Sequence, residues 1–194
     1  MPRTKNYHED DVLRKALNLF WTKGFHASSM AELVACMGIS RASMYTSFPN
    51  GKEEIFQRAF EMYQEENSRK VRALFASSPS VKDAFYDMLK GGIMEDVMAE
   101  QVKGCLLINT ATELIPGDDH IQQMVRKNAE NSKALFVEQL QRGVESGELS
   151  PELNVKDVAD YIFTFYGGLR VMSKINPDKK SLLATLDQGM AILQ

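Results

Sequence analysis

The chain has 194 residues, 44% of them hydrophobic, with a net charge of −3 and only two cysteines. This composition fits a globular protein of one or two domains and excludes both a disordered chain and a disulfide-stapled secreted scaffold. No apolar run approaches the ~20 residues a membrane span needs, and the polar N-terminus has no apolar leader, so a cytoplasmic protein with reduced thiols is expected.

No segment alternates apolar and polar residues with β-branched enrichment, so the expected fold class is all-α, with about nine helices. Residues 1–8 read as a polar arm. A first helix is expected over Glu9–Lys23, with Val12, Ala16, Leu19 and Phe20 on one face. Lys23-Gly24 is a stop signal, a cation at the negative helix end followed by glycine, and Phe25 is expected to pack back on the same core. Ser29 and Glu32 form a capping box for a second helix whose apolar side carries Leu33, Val34 and Met37. Gly38 supplies the freedom for a sharp turn. Ser40 caps a third helix bearing Arg41, Ser43, Tyr45 and Thr46. Two short helices joined by a glycine turn make a helix-turn-helix, which places its second helix in the DNA major groove.

Asn50 is the expected cap of a fourth helix, in a box-like arrangement with Glu53, running to about Phe75. The domain boundary is placed near its start, giving a head over 1–52 and a helical body over 53–194. Ser80 with Asp83 opens a fifth helix to about Met98. A sixth is expected over Cys105–Glu113 and a seventh over about Asp118–Gly147. Asn154 with Asp157 starts an eighth, reaching about Lys174. Asn176-Pro177-Asp178 precedes the last. Residues 1–58 hold eight Lys/Arg against six Asp/Glu, a net of +2, and the remainder fifteen against twenty, a net of −5. A weakly basic head on an acidic body is compatible with DNA binding, because phosphate affinity depends on where the cations sit.

The stretch Ser29–Phe56 strongly resembles the TetR family of transcriptional repressors. The resemblance rests on Gly38, Ile39 and Ser40 at the turn, then Ser43, Tyr45, Phe48, Lys52, Glu53 and Phe56, with Lys23-Gly24-Phe25 ahead of them. Many members carry a second aromatic or His just after the tyrosine; here Thr46 and Ser47 fill the gap before Phe48. The resemblance implies an N-terminal DNA-binding domain of three helices fused to a helical-bundle domain for ligand sensing and dimerisation, with no cofactor.

Ile39, Met44 and Phe48 are too apolar to face water and are assigned to the small core. This leaves Arg41, Ala42, Ser43, Tyr45 and Thr46 for the groove. Arg41 suits a guanine edge or a phosphate, while Ala42 and the Thr46 methyl suit thymine methyls. By resemblance Tyr45 contacts the DNA backbone. Lys52 is expected at a phosphate, as are Ser28 or Ser29 at the start of helix two; Ser40 caps the reading helix. Taken singly, each of these also reads as an ordinary cap or solvated surface residue; the ordered set carries the argument.

One head covers a short half-site, so specific binding calls for a homodimer on an inverted-repeat operator. The apolar rows Val158, Ile162, Phe165, Leu169, Met172 and Leu182, Leu186, Met190 are the candidate interface, the alternative being that they pack inside one subunit. Two kinds of inducer remain open. One is a small apolar ligand lined by Tyr63, Phe85, Met88 and Phe163 and oriented by Asn109 and Glu113, although such a Met and Phe stripe also reads as plain core. The other is an electrophile acting at Cys105, which follows Gly104 at a helix N-terminus where the dipole favours thiolate. Gly104-Cys105-Leu106 with Lys174 is similar to a TetR subgroup that includes NemR-type repressors, which implies a cysteine sensor with a lysine partner; alternatively Cys105 is a small buried hydrophobe. His8, His26 and His120 show no metal-ligand spacing, and neither a phosphate loop nor a nucleophile elbow is present, so no enzyme is expected. The competing class is a helical carrier or adaptor that has lost DNA binding.

Overall fold

The computed structural model describes residues 7–117 and 119–193. The expected arm as far as residue 6, and Asp118, the expected start of the seventh helix, lie outside the described residues. All regular structure among them is helical: α1 Glu9–Lys23, α2 Met30–Met37, α3 Arg41–Ser47, α4 Lys52–Ser77, α5 Val81–Met98, α6 Leu106–Leu114, α7 Asp119–Glu145, α8 Val155–Ile175 and α9 Lys179–Met190. Short 3-10 turns, Ile115–Gly117 and Ala191–Leu193, follow α6 and α9. None of these helices is long and apolar enough to cross a membrane.

The chain divides into two compact units, the first ending at Asn67 and the second beginning at Ser68, so α4 contributes to both. In the first unit α1 supplies Val12, Leu13, Ala16, Leu17 and Phe20 to a core completed by Leu33, Met37, Met44, Phe48, Ile55 and Phe56. Gly24 ends α1 with a positive φ, and its amide closes back on the Phe20 carbonyl at 2.8 Å. The chain then folds Phe25 onto Phe20 and Phe56, with ring centroids 5.8 and 5.2 Å apart. Gly38 takes the left-handed conformation (φ 70°, ψ 27°) that turns α2 into α3.

One cap differs from the sequence reading. α4 starts at Lys52 rather than just after Asn50. Gly51, at φ +68°, takes the cap position and accepts from the Ile55 amide, while the Asn50 amide donates to the Glu54 carboxylate at 3.0 Å. A glycine able to adopt positive φ lets the tight turn after Phe48 run directly into the helix, which displaces the side-chain cap.

The second unit is a bundle in which α5 packs on α7, α8 and α9, and α6 on α7. Its core joins Phe75, Phe85, Leu89, Ile93, Phe136, Leu140, Ile162, Leu169 and Leu186. Phe85 sits edge-on between Phe75 and Phe136, at centroid distances of 4.8 and 5.4 Å. Ser80, Asn154 and Asp178 cap their helices as side-chain acceptors. A remote residue reinforces the first of these caps. Glu148 accepts from the Val81 and Lys82 amides, both at 2.8 Å, and from the Ser80 hydroxyl at 2.7 Å. Burial opposes its charge, but these donors prevail and hold its pKa below the usual carboxylate range.

Candidate nucleic-acid interface

Helix α3 is anchored from below and open above. Met44 and Phe48 are fully buried. Ser40 caps the helix, accepting from the Ser43 amide at 3.1 Å, and the two hydroxyls lie 2.8 Å apart. Arg41, Ala42, Tyr45 and Thr46 are exposed, Ser43 is half-buried, and Tyr45 shows 43% of its surface. The Arg41 guanidinium stands 6.0 Å from the centre of the Tyr45 ring. Thr46 donates its hydroxyl to the Ala42 carbonyl at 2.8 Å, which fixes its rotamer and leaves its oxygen able to accept. The exposed face therefore offers a forked cation, a phenol, a hydroxyl acceptor and two methyl groups, a set suited to base edges and phosphates.

The start of α2 is equally ordered. Ser29 accepts from the Glu32 amide at 3.2 Å while its own amide donates to the Glu32 carboxylate at 2.9 Å, completing the capping box. The Lys23 ammonium also pairs with Glu32. That ammonium, together with the Ser29 hydroxyl and amide, lowers the Glu32 pKa to about 2.

Of two expected phosphate ligands, Ser28 is turned inward and Lys52 is partly committed to backbone carbonyls. Ser28 is only 1% exposed, and its hydroxyl donates to the Gly24 carbonyl at 2.6 Å. The tight 24–28 turn folds this side chain inward. Lys52 is half-buried and donates to the Phe25 carbonyl at 2.8 Å and the Ser28 carbonyl at 3.0 Å, with its ammonium 4.3 Å from the centre of the Phe25 ring. Two of its three donors thus stitch the turn ahead of α2 to the base of α4.

Comparison with known proteins bears on this arrangement. Residues 12–59 match the profile described as "Bacterial regulatory proteins, tetR family", and residues 84–187 match that of a "Tetracyclin repressor-like, C-terminal domain". This chain belongs to the TetR family. Among TetR-type relatives, it is 27% identical to the uncharacterised HTH-type transcriptional regulator YezE of Bacillus subtilis, over all of both chains. It is 26% identical to the HTH-type transcriptional repressor ComR of Escherichia coli, covering 93% of this chain and 86% of ComR. A solved complex of the TetR family regulator CifR, a cysteine mutant with 26-base-pair operator DNA, superposes with a TM-score of 0.87 at 25% identity, covering 97% of this chain and 98% of CifR. The protein is a TetR-type transcriptional regulator.

In this TetR-family chain the expected sensing residues fall into several groups. Tyr63 belongs to the first unit, edge-on to Trp21 at 5.0 Å. Phe85 lies in the aromatic core of the second unit, with Met88 and Phe163 packed against that core. Asn109 is turned to its own loop, donating to the Lys103 carbonyl at 2.9 Å, and Glu113 is half-buried on α6. Cys105 is the half-exposed N-cap of α6 and makes no side-chain capping bond. Beside it, Gly104 has φ +68°, and a Cβ built there would lie 3.5 Å from Lys174 Cδ. Cys105 and Lys174 are thus brought to one neighbourhood.

What holds that neighbourhood was missed in the sequence. Asp96 and Arg170 form a buried pair, with Nε to Oδ2 at 2.8 Å. Asp96 also accepts from the Gly104 amide at 3.1 Å, and Arg170 donates to the Gly104 carbonyl at 2.9 Å and to the Tyr166 hydroxyl at 3.0 Å. Ser173 donates to Asp96 as well. Burial opposes the Arg170 charge, but Tyr166 and Asp96 outweigh it and push its pKa up; burial, prevailing over the opposing Arg170 charge, pushes Tyr166 up. An Asp and an Arg 74 positions apart carry no spacing signal. The one clue was polar residues inside otherwise apolar helical faces.

Most of the expected dimer rows lie inside the subunit. Val158, Ile162, Leu169, Leu182, Leu186 and Met190 are buried in the subunit's own core. Phe165 is half-buried against Gly189, and Met172 alone of the two rows is exposed, at 50%. The exposed large apolar residues of α8 are instead Tyr161, Val171, Met172 and Ile175.

Proposed function

We propose that this regulator is a homodimeric repressor that reads an inverted-repeat operator in the cytoplasm with α3. The supporting observation is the exposed face of Arg41, Ala42, Tyr45 and Thr46 over the buried pair Met44 and Phe48. Ser29 and Ser40 fix the helix starts, and Ser43 sits at the edge of the reading face. ComR is named a repressor and CifR was solved on operator DNA; repression and operator binding come to this chain by that likeness. The exposed side of α8 serves as the contact between subunits. Gel shift against duplexes that the wild-type protein enriches from a random pool tests the reading. Arg41→Ala and Tyr45→Ala should each weaken binding while the protein remains folded. A salt-insensitive, sequence-indifferent protein would instead be the helical carrier.

The inducer reading favoured by a specific observation is an electrophile at Cys105, because its half-exposed thiol follows Gly104, whose backbone lies against the Lys174 stem. Modification there would press on the Gly104 backbone, which Asp96 and Arg170 hold. Cys105→Ser should then keep the operator bound under electrophile treatment. Release by that variant would return the choice to a small apolar ligand in the bundle.

A further inference from the structure

Helix α3 has seven residues and no basic residue in its last turn; the Phe48 amide closes on the Met44 carbonyl at 2.8 Å, and the carbonyls beyond it have no intrahelical partner. A helix of two turns is marginal alone and depends on its surroundings. Its start is held by Ser40. Its far end is held by a residue from another element. Arg58, on α4, donates to the Ser47 carbonyl at 3.3 Å, and its guanidinium centre lies 5.0 Å from the centre of the Phe48 ring. The same guanidinium pairs with Glu9 at the start of α1 and lies 3.6 Å from Glu54. The Tyr7 hydroxyl meets the Ser47 hydroxyl at 2.6 Å.

We infer that Arg58 is a positioning residue for sequence readout: it caps α3 from α4 and, through Glu9, ties the end of the reading helix to α1. Its cation is spent on a carbonyl, a ring and two carboxylates, so it acts through α3 rather than on a phosphate. A favourable charge at a helix C-terminus adds to this anchoring. Base-edge contacts tolerate little displacement, whereas phosphate contacts alone carry no sequence information. Loss of the anchor should therefore cost specificity before it costs general affinity.

The inference rests on α3 being the reading helix, and the experiment separates the two. Wild type, Arg58→Met, Arg58→Lys and Glu9→Gln are compared on the duplex that wild type enriches from a random pool and on a scrambled duplex of equal length, over a salt series, with thermal melting as the check of fold. Arg58→Met should lose about tenfold on the selected duplex, the scale of one charge-assisted hydrogen bond. Binding to the scrambled duplex and the salt slope should not change. Arg58→Lys should recover part of the loss, and Glu9→Gln should show a smaller loss of the same kind. A phosphate ligand would instead weaken both duplexes and flatten the salt slope by about one per head; that result overturns the inference. Unchanged specificity in Arg58→Met and Glu9→Gln overturns it too, and if Arg58→Met does not fold, the Lys and Gln variants decide. Failure of wild type to enrich any duplex would refute the DNA-reading assignment instead.

Discussion

Single residues in the first unit serve mainly to hold backbone ends. Ser29, Glu32 and Lys23 form one cluster in which a carboxylate satisfies an amide, a hydroxyl and an ammonium. Because the Glu32 pKa falls from the ordinary 4.5 to about 2 on folding, its contribution is fully present above about 4.5 and is lost as pH drops towards 2. Glu32→Gln should therefore lower the melting temperature at neutral pH and flatten its acid limb between those two values. A wild-type acid limb that the substitution leaves unaltered would contradict this role. The capping box was legible because both partners sit three positions apart. Lys52 was legible only in part: its type and place fit a phosphate ligand, but its commitment to the Phe25 and Ser28 carbonyls is a contact across 24 to 27 positions, which no local pattern encodes.

At the scale of elements, most helix starts and stops were readable because capping chemistry is local, the start of α4 being the exception. The register of one helix on another was not. Gly91 and Gly92 of α5 show the difference, since they are identical neighbours in the sequence. A Cβ on Gly91 meets nothing within 4 Å, whereas one on Gly92 would lie 1.9 Å from the Tyr166 hydroxyl and 2.7 Å from Arg170 Nη1. Gly92 is thus the hollow that admits the polar network of α8 into the bundle. Gly91→Ala should stabilise the protein by about 0.5–1 kcal/mol, the ordinary gain of alanine over glycine inside a helix. Gly92→Ala should destabilise it by about 1–3 kcal/mol, the scale of overpacking in a close-fitted core. Chemical denaturation of the two variants checks the opposite signs. Equal effects would mean that the Tyr166 hydroxyl and Arg170 shift away at little cost.

At the scale of the whole molecule, the proposed dimer raises the question of which face would meet a second copy. The apolar arc of α8 is wide enough to serve two purposes. At about 100° per residue, Val158, Ile162 and Leu169 point to the inner side, while Met172, Tyr161 and Ile175 lie roughly a sixth to a third of a turn round the helix. The row first read from the sequence straddles the border between these sides. Apolarity alone does not divide an arc into the part buried within the subunit and the part left outside. The structure draws that division, leaving Ile175 70% exposed and Ile162 fully buried. A charge at Ile175 therefore costs the isolated subunit little, within about 0.5 kcal/mol for a surface site, yet would be severe at the centre of an interface. Ile175→Glu should keep helicity and melting behaviour in dilute solution, sediment as a monomer, and lose binding to a two-half-site duplex. Its weak affinity for a single half-site should match that of wild type. A dimer that survives Ile175→Glu would move the contact to another face and leave this stripe of α8 free.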